Sequence, residues 1–405
     1  MRHPETVAEV VEAGLCIGCG LCAALAPGGF RMAWTAEGRL RPARIGPADE
    51  AAILAACPGA VSRPHDEATP ENDDIWGGYH RMQRAWAGDP EIRFRAATGG
   101  VLTALGAHLV RTGAAAFILH CEADPDRPMR SRWCLSDTPE AVIRRAGSRY
   151  GPTDTLAGLG AAVARGQPFA VIAKPCDAGA VRERAKADPA LAKNLVALLV
   201  MVCGGASDLG KSRQMLDAFG VAEDELALLR YRGFGNPGRT RIETRDGRAF
   251  EMSYNEAWAD ETGWRIQTRC KICPDALGEA ADIAAADLWP GGVPAGEDAG
   301  FNGVITRTSR GEALFRSALA AGALQADAGI DPRTLDDCQP HQVRKKRALA
   351  ARLRGMAAAG SPVYQHQGLR IDRLDAKDMA EEDGARARVL SGRLRETMPQ
   401  GDADG

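Results

Sequence analysis

Cysteine is the residue type with the clearest chemical potential in this 405-residue chain, which contains eleven of them. Three stand at two-residue gaps in the segment Cys16-Ile-Gly-Cys19-Gly-Leu-Cys22. This spacing can wrap three thiolates around one face of an iron–sulfur cube, and Gly18 and Gly20 would let the backbone approach the sulfides. The pattern therefore predicts a [4Fe–4S] cluster near the N-terminus.

Cys57, which is followed by Pro58, is the predicted fourth ligand of this cluster. In bacterial two-cluster ferredoxins, a cysteine–proline pair shortly after the third cysteine binds the other cluster. Ala26-Pro27 takes that place here, and residues 46–60 contain no second CxxCxxC. We therefore expect a single cluster in a ferredoxin-like segment, with a zinc knuckle as the alternative because four thiolates also suit tetrahedral Zn²⁺. The predicted ligands are Cys16, Cys19, Cys22 and Cys57.

A second group of cysteines begins with the CxxC of Cys270-Lys-Ile-Cys273. Cys176 and Cys203 follow predicted parallel strands, and α/β sheets build ligand sites at the carboxyl ends of such strands. The four thiols could therefore hold a second [4Fe–4S] cluster. Spacing alone leaves open a redox-active dithiol, or buried cysteines that act as small hydrophobic residues. The remaining cysteines lack ligand-like spacing and are interpreted as packed thiols: Cys121, Cys134 and Cys338.

Apolar runs predict the elements that must position these residues. Thr98 is expected to cap a helix with apolar residues at helical spacing, which Gly113 ends. Short apolar runs predict strands over 114–121, 169–173 and 195–202. Because strands alternate with helical segments, we expect an α/β core with a mixed, mainly parallel sheet.

Changes in composition predict how the chain is divided. A polar stretch over 63–72 ends the ferredoxin-like segment, and an alternating pattern over 241–252 predicts a hairpin in a glycine-rich region. The expected parts are a ferredoxin-like [4Fe–4S] segment over 1–64, an α/β part over 90–225, a loop-rich β part with second-cluster ligands over 226–350, and a helical or disordered tail over 351–405.

The composition limits the classes of partner and location. The formal net charge is −2, which gives no electrostatic reason to expect nucleic acid. Residues 1–6 are polar and unlike a secretory signal, so a cytoplasmic protein is expected. The longest aliphatic run, over 195–203, is far shorter than the roughly 20 residues of a membrane-spanning helix. Cysteines in a protein without an export signal favour metal or redox roles over disulfides.

Six short motifs, in order along the chain, resemble the family of the coenzyme F420 hydrogenase/dehydrogenase β subunit, whose relatives include 7-hydroxymethyl chlorophyll a reductase and the ferredoxin-dependent 3,8-divinyl protochlorophyllide a 8-vinyl reductase. The motifs are Thr98-Gly-Gly100, Gly147-Ser-Arg-Tyr150, Lys174-Pro-Cys176, Tyr231-Arg-Gly233, Arg269-Cys-Lys-Ile-Cys-Pro-Asp275 and Ala281-Asp-Ile-Ala-Ala-Ala-Asp287. The resemblance implies FAD and electron transfer between an iron–sulfur donor and a substrate at the flavin. It also implies that the second cysteine group holds a cluster.

The resemblance further implies which residues contact FAD. The segment Thr98-Gly99-Gly100 is the candidate phosphate cradle, because free backbone N–H groups at a helix start bind anions. The other implied contacts are Ser148, Arg149, Tyr150, Lys174, Arg232 and Asp287. The chain departs from the family pattern at Ala173-Lys-Pro-Cys-Asp177, where members commonly have Gly-Thr-Pro-Cys-Gln, and at Ala286, where many have glycine.

Three functions follow from these patterns. The leading one is an FAD- and iron–sulfur-dependent oxidoreductase that takes electrons from ferredoxin or an associated oxidoreductase subunit and acts on CH or CH₂ groups of a small organic substrate. The second is an electron-transfer β subunit of a larger hydrogenase or dehydrogenase complex. The third is a zinc-stapled binding protein without redox activity. Basic residues over 344–354 predict a surface helix that could dock an acidic ferredoxin or simply be solvated.

Overall fold

The structure, a computed structural model, describes residues 1–259, 265–374 and 396–399. Part of the predicted helical or disordered tail over 351–405 lies outside the described residues. The strands are β1 (Phe30–Trp34), β2 (Leu40–Arg44), β3 (Val61–Ser62), β4 (Glu71–Asp73), β5 (Gly77–Tyr79), β6 (Arg81–Ala87), β7 (Phe117–Ala123), β8 (Ser131–Ser136), β9 (Phe169–Ala173), β10 (Leu195–Met201), β11 (Leu226–Arg230), β12 (Thr240–Thr244), β13 (Ala249–Met252), β14 (Ile283–Asp287), β15 (Asn302–Thr306), β16 (Leu324–Gly329) and β17 (Gln365–His366).

Helices connect and cover these strands. They are α1 (Val7–Glu12), α2 (Leu21–Leu25), α3 (Glu50–Leu54), α4 (Pro90–Arg95), α5 (Val101–Arg111), α6 (Pro139–Arg144), α7 (Leu159–Ala164), α8 (Pro175–Ala185), α9 (Pro189–Asn194), α10 (Gly210–Asp217), α11 (Tyr254–Ala259), α12 (Thr268–Lys271), α13 (Ser309–Ala320), α14 (Pro332–Cys338) and α15 (Pro340–Ala358). Short 3₁₀ segments lie at Thr155–Gly158, Glu223–Glu225, Pro290–Gly292 and Ile371–Leu374. In the described part of the chain, no helix is long and apolar enough to cross a membrane.

The centre of the fold is an eight-stranded mixed sheet with the order β16-β6-β15-β14-β10-β9-β7-β8. The four strands β14, β10, β9 and β7 pair in parallel, and the outer pairs are antiparallel. The predicted mixed sheet is confirmed, but three of its seven pairings are parallel, so "mainly parallel" was wrong. One reason is local: β8 follows β7 after residues 124–130 alone, and a parallel neighbour needs a crossover of a dozen residues or more.

Both faces of this sheet are buried. Phe117 and Leu119 of β7 belong to one apolar core with residues of α7 and α8, while Ile118 belongs to another with residues of α5 and α13. Successive side chains of a strand point to opposite faces, so a strand covered on both sides must be apolar throughout. This explains the continuous apolar runs of β7, β9 and β10.

The N-terminal segment contains α2, the β1–β2 hairpin and α3. Asp49 caps α3, because its side chain accepts from the N–H groups of Ala51 and Ala52 at 3.1 and 3.2 Å. α3 ends shortly before Cys57. The ferredoxin-like character of this segment stays a prediction.

The helix predicted from Thr98 is α5, but Thr98 does not cap it. The N-cap is Gly100, at φ 76°, with no side-chain cap hydrogen bond. The Thr98 hydroxyl instead accepts from Nδ2 of Asn302 at 2.8 Å. A tertiary partner has therefore replaced the local hydrogen bond that the sequence predicts.

The basic stretch over 344–354 lies in α15, and Arg344, Arg347 and Arg354 are exposed, as a surface helix predicts, but the opposite side of the helix is buried. Apolar residues alternate with the basic ones at helical spacing, so α15 buries Val343, Leu349, Leu353 and Met356. Lys346 is itself 3 % exposed. α15 is therefore a partly buried helix that packs beside the second cysteine group.

Candidate redox-cofactor site

A cavity of about 770 Å³ lies at the carboxyl ends of the central parallel strands. Lys174 follows β9, Cys203 follows β10, and Asp287 ends β14, and all three line the cavity. Ligands of open α/β sheets bind outside this edge because the strand ends leave a crevice there. The volume is within the range of roughly 300–1,000 Å³ that is usual for ligand pockets.

Eight of the nine residues predicted to contact a cofactor line this cavity. They are Thr98, Gly100, Ser148, Arg149, Tyr150, Lys174, Arg232 and Asp287. Gly99 does not line it. A Cβ on Gly99 would stand 2.9 Å from the Asn302 nitrogen and 3.0 Å from the Ala85 carbonyl oxygen, so this glycine lets the chain before α5 lie against β6 and β15.

The start of α5 forms one wall of the cavity. Residues 100–103 line it, and this helix has eleven residues and no side-chain cap. The first N–H groups of a helix have no intrahelical acceptor and carry the positive end of the helix dipole. An anionic group would therefore be stabilised at this wall.

Arg232 joins three parts of the site. Its Nη1 donates to Oδ2 of Asp287 at 2.9 Å and to the hydroxyl of Tyr150 at 3.2 Å, and its Nη2 donates to the Ala97 carbonyl oxygen at 2.6 Å. The guanidinium lies over the Trp289 ring, 4.5 Å from its centroid. Its Nε is buried without a partner among the described residues. Arg232 therefore places a desolvated cation at the cavity wall.

Lys174 supplies a second buried cation. Its Nζ lies 2.8 Å from Oδ2 of Asp177 and donates to the Thr153 carbonyl oxygen at 3.1 Å. Burial disfavours the ammonium form, but the Asp177 carboxylate outweighs it and the pKa of Lys174 is raised. The two departures from the family pattern at Lys174 and Asp177 thus form one compensated ion pair.

Arg149 has a different environment from the one the sequence implied. Its guanidinium donates to Oγ of Ser131 at 3.0 Å and to the carbonyl oxygens of Pro128, Arg130 and Leu229 at 2.7, 2.8 and 3.2 Å. Ser131 begins β8 and Leu229 belongs to β11. All of these acceptors belong to the protein, so the guanidinium joins β8 to β11.

The structure brings the second cysteine group together. Cys176, Cys203, Cys270 and Cys273 line one small cavity of about 20 Å³, although they come from three different places in the chain. Burial, followed by the neighbouring thiols, raises the pKa of Cys203 to about 12. Burial also raises the pKa of Cys176 and of Cys273. These thiols are therefore neutral near pH 7 unless a bound metal or cluster stabilises the thiolate form.

The first cysteine group is also assembled. Burial, followed by Cys16, raises the pKa of Cys57 to about 12. Burial, followed by Cys16 and Cys57, also raises the pKa of Cys22. All eleven cysteines of the chain are free. Within the described residues, no three His, Cys, Asp or Glu side chains are arranged to hold a single metal ion.

Gly18 and Gly20 have a structural reason that the sequence did not reveal. Both have positive φ, 70° and 86°. A Cβ on Gly18 would stand 2.5 Å from the Leu40 carbonyl oxygen, and one on Gly20 would stand 2.6 Å from the Ala157 nitrogen. They let the first cysteine loop approach β2 and the chain before α7.

The two cysteine groups are neighbours. Ile17, which stands between Cys16 and Cys19, lines the small cavity of the second group. Cys203 and Cys270 line both the small cavity and the large one. The first group, the second group and the large cavity therefore follow one another through the fold.

Sequence reasoning missed several cavity residues. His120 lies in β7 and its Nε2 is 2.8 Å from Oγ of Ser136. Trp289 follows the Asp287 motif by two residues and could have been found from that position. Tyr254 and Gln342 carry no motif, and only the tertiary fold brings them to the cavity.

Comparisons with known proteins identify the family of the chain. The family model for the C-terminal part of the coenzyme F420 hydrogenase/dehydrogenase beta subunit matches residues 166–331, and the model for its N-terminal part matches residues 82–159, so together they cover more than half of the chain. An uncharacterised protein of Methanocaldococcus jannaschii is 25% identical over 371 residues, which are 84% of this chain and 96% of the relative. The beta subunit of F420-dependent formate dehydrogenase 1 of Methanococcus maripaludis is 25% identical over 256 residues, 62% of each chain.

A solved structure shares the fold. A chain of the F420-reducing [NiFe] hydrogenase complex from Methanosarcina barkeri superposes with a TM-score of 0.55 at 18% identity. The match covers 73% of this chain and 98% of that chain.

Proposed function

We propose that this chain, which belongs to the family of coenzyme F420 hydrogenase/dehydrogenase beta subunits, is an electron-transfer subunit that carries a [4Fe–4S] cluster on each cysteine group and FAD in the large cavity. The family consists of oxidoreductase subunits. One observation carries the proposal: Cys203 and Cys270 line both cavities. A cluster on the second group would share a wall with the cofactor in the large cavity.

The residues of the large cavity fit an anionic, aromatic cofactor. The start of α5 and the buried cation of Arg232 suit a pyrophosphate, and Tyr254 and Trp289 offer aromatic surface. Among the described lining residues, the only carboxylate is that of Asp287. The basic ones are Arg145, Arg149, Lys174, Arg232, Lys271, Arg344, Lys345 and Arg352. When bound, a flavin would join one-electron transfer to a two-electron hydride step.

The chain's own residues would bind and orient the cofactor. Arg232 holds Asp287, Tyr150 and the Ala97 carbonyl in fixed positions. Lys174 lines both cavities and keeps its charge beside Asp177. The four thiols of the second cysteine group are partly buried, so a cluster held there would be partly shielded from water.

Anaerobic purification followed by iron, zinc and flavin analysis tests the proposal. We expect about eight iron atoms per chain, as for two [4Fe–4S] clusters, together with FAD. About four iron atoms per chain would indicate a single cluster. Zinc without flavin would refute the redox function and support the zinc-stapled binding protein.

A second candidate function is a self-contained enzyme that reduces an organic substrate with electrons from ferredoxin. The similarity to a formate dehydrogenase beta subunit, and to a chain of a hydrogenase complex, favours the subunit. Affinity purification from the native host should therefore recover a hydrogenase or dehydrogenase partner. Turnover of an organic acceptor by the isolated, cluster-loaded chain with reduced ferredoxin would favour the self-contained enzyme instead.

A further inference from the structure

Arg269 is a buried cation that is not among the residues proposed to bind the cofactor. It is 2 % exposed and directly precedes Cys270. No carboxylate of the described residues lies within ion-pairing distance of it. Burial by itself lowers the pKa of Arg269, and the titratable groups that raise it are Cys273, Tyr364, Cys176 and Cys270. A buried charge is costly unless an opposite charge compensates it.

The hydrogen bonds of Arg269 connect the two cysteine groups. Its Nη2 and Nε both donate to the Pro58 carbonyl oxygen, at 2.8 and 3.0 Å, and Pro58 directly follows Cys57. The guanidinium is thus held between a residue next to a ligand of the first group and its own position next to a ligand of the second.

Tyr364 fixes the guanidinium from the other side. The guanidinium carbon of Arg269 lies 4.3 Å from the centroid of the Tyr364 ring. The Tyr364 hydroxyl donates to the Ile272 carbonyl oxygen at 2.6 Å, between the two cysteines of the CxxC. The stacking contact and the hydrogen bonds therefore hold the guanidinium group of Arg269 in one orientation.

Arg41 provides a contrast. It is 1 % exposed and lies near Cys16 and Cys270, but its Nε donates to Oε2 of Glu396 at 2.5 Å. That ion pair is nearly neutral as a unit. Arg269 has no such carboxylate partner among the described residues. The negative charge that compensates it must therefore come from the cysteine groups.

We infer that Arg269 is the shared counter-ion of the two cysteine groups, a positioning residue that joins the Cys57 loop to the Cys270 loop and raises the reduction potentials of both clusters. The inference rests on the proposed function, because it requires a cluster on each group. Thiolate-bound clusters are anionic, and a fixed cation nearby makes the uptake of an electron more favourable.

Arg269→Gln is the principal test, because glutamine is neutral but can still donate to the Pro58 carbonyl oxygen. The full chain is reconstituted anaerobically, and each cluster is titrated by potentiometry monitored with electron paramagnetic resonance. At a fixed solution potential we expect the ratio of reduced to oxidised cluster to fall about tenfold for both clusters, a shift of 59 mV for a one-electron couple. Arg269→Lys keeps the charge and should leave both ratios within about twofold of the wild type.

Arg307→Gln is the matched control. Arg307 is also fully buried and donates to backbone carbonyl oxygens, those of Trp76, Gly78 and Leu277. Burial lowers the pKa of Arg307, and the charged groups that act on it are Glu279, Asp275, Arg370 and Asp73, with no thiol among them. This variant should lose stability without a shift of either potential.

The outcomes separate the two proposals. If wild-type protein binds no iron, the proposed function fails. If the wild type carries both clusters, three results would refute the role of Arg269 as a shared counter-ion. These are Arg269→Gln potentials equal to those of the wild type, a shift in one cluster alone, or equal shifts in Arg269→Lys. If Arg269→Gln takes up no cluster, uptake by Arg269→Lys supports the inference, and failure of both variants overturns it.

Discussion

Replacing Glu279 by Gln should lower the free energy of unfolding by about 3 kcal/mol. The Glu279 side chain is 1% exposed, and its two carboxylate oxygens pair with Lys346 of α15 and with Arg370. Glutamine would leave Lys346, whose side chain is 4% exposed, without its counter-ion. Removing one partner of a buried ion pair costs roughly 3–5 kcal/mol, and Arg370 can still reach water, so the lower end applies.

Thermal unfolding of the full chain in one fixed cofactor state measures this effect. An unfolding entropy of roughly 2.1 cal/mol/K per residue over 405 residues converts about 3 kcal/mol into a fall in Tm of about 3–4 °C. Glu91→Gln is the control, because its pair with Arg95 is largely exposed and should be worth under about 1 kcal/mol. A Tm for Glu279→Gln equal to that of Glu91→Gln would refute the reasoning.

A second substitution and the pH dependence sharpen this test. Adding Lys346→Met to Glu279→Gln should recover part of the loss, because methionine removes the buried ammonium that the first substitution leaves unpaired. Burial opposes ionisation of Glu279, but Lys346 and Arg370 outweigh it and lower its pKa below 4.5. Its contribution is therefore present above pH 4.5 and is lost as the pH falls through the lower folded pKa, so wild type and variant should converge in acid.

Three further predictions concern the site. Cys203→Ser should reduce the iron content from about eight to about four atoms per chain, whereas Cys134→Ser, at a buried thiol that lines neither cavity, should leave it unchanged; equal iron in both variants would contradict the ligand assignment. Burial, followed by Arg145, lowers the pKa of His120 from 6.5 to about 4, so the wild type should lose about 2–3 kcal/mol as the pH falls from 6.5 to 4.5. Chemical denaturation at the two pH values should show a smaller loss for His120→Gln, and an equal loss would refute the assignment. Burial raises the pKa of Asp154 from 3.8 to about 6, and its Oδ1 has no partner among the described residues, so its contribution is lost as the pH rises through 6. Asp154→Asn should therefore be about 2 kcal/mol more stable than the wild type at pH 8 and should show no gain at pH 4, by the same denaturation measurement.

Local patterns in the sequence predicted three of the eight strands of the central sheet, β7, β9 and β10, and the helix α5. The strand expected over 169–173 is β9 with those bounds, and the helix that Gly113 was expected to end is α5. Both are specified by side chains within one short segment, so the sequence suffices. Sheet order is different, because β14 and β15 reach their places through contacts between distant segments.

Capping and surface exposure show where local reasoning fails. The hydroxyl of Thr98 accepts a hydrogen bond from Asn302, 204 residues away, and does not cap α5. α15 was expected on the surface because of its basic residues, yet Lys346 is buried beside Glu279. In both cases a distant partner supplies the interaction, and the local pattern does not contain it.

For the candidate site, the sequence alone determined the ligand spacing within each short motif. The CxxCxxC of the first group and the CxxC of the second need only a few residues of backbone to place their thiols. Only the tertiary structure could bring Cys176 and Cys203 to Cys270 and Cys273, because β9 and β10 must first lie side by side in the sheet. The same holds for Arg269 and Pro58, which are 211 residues apart. The sequence therefore predicted the candidate ligands, and the order of the strands in the sheet determines which of them lie together.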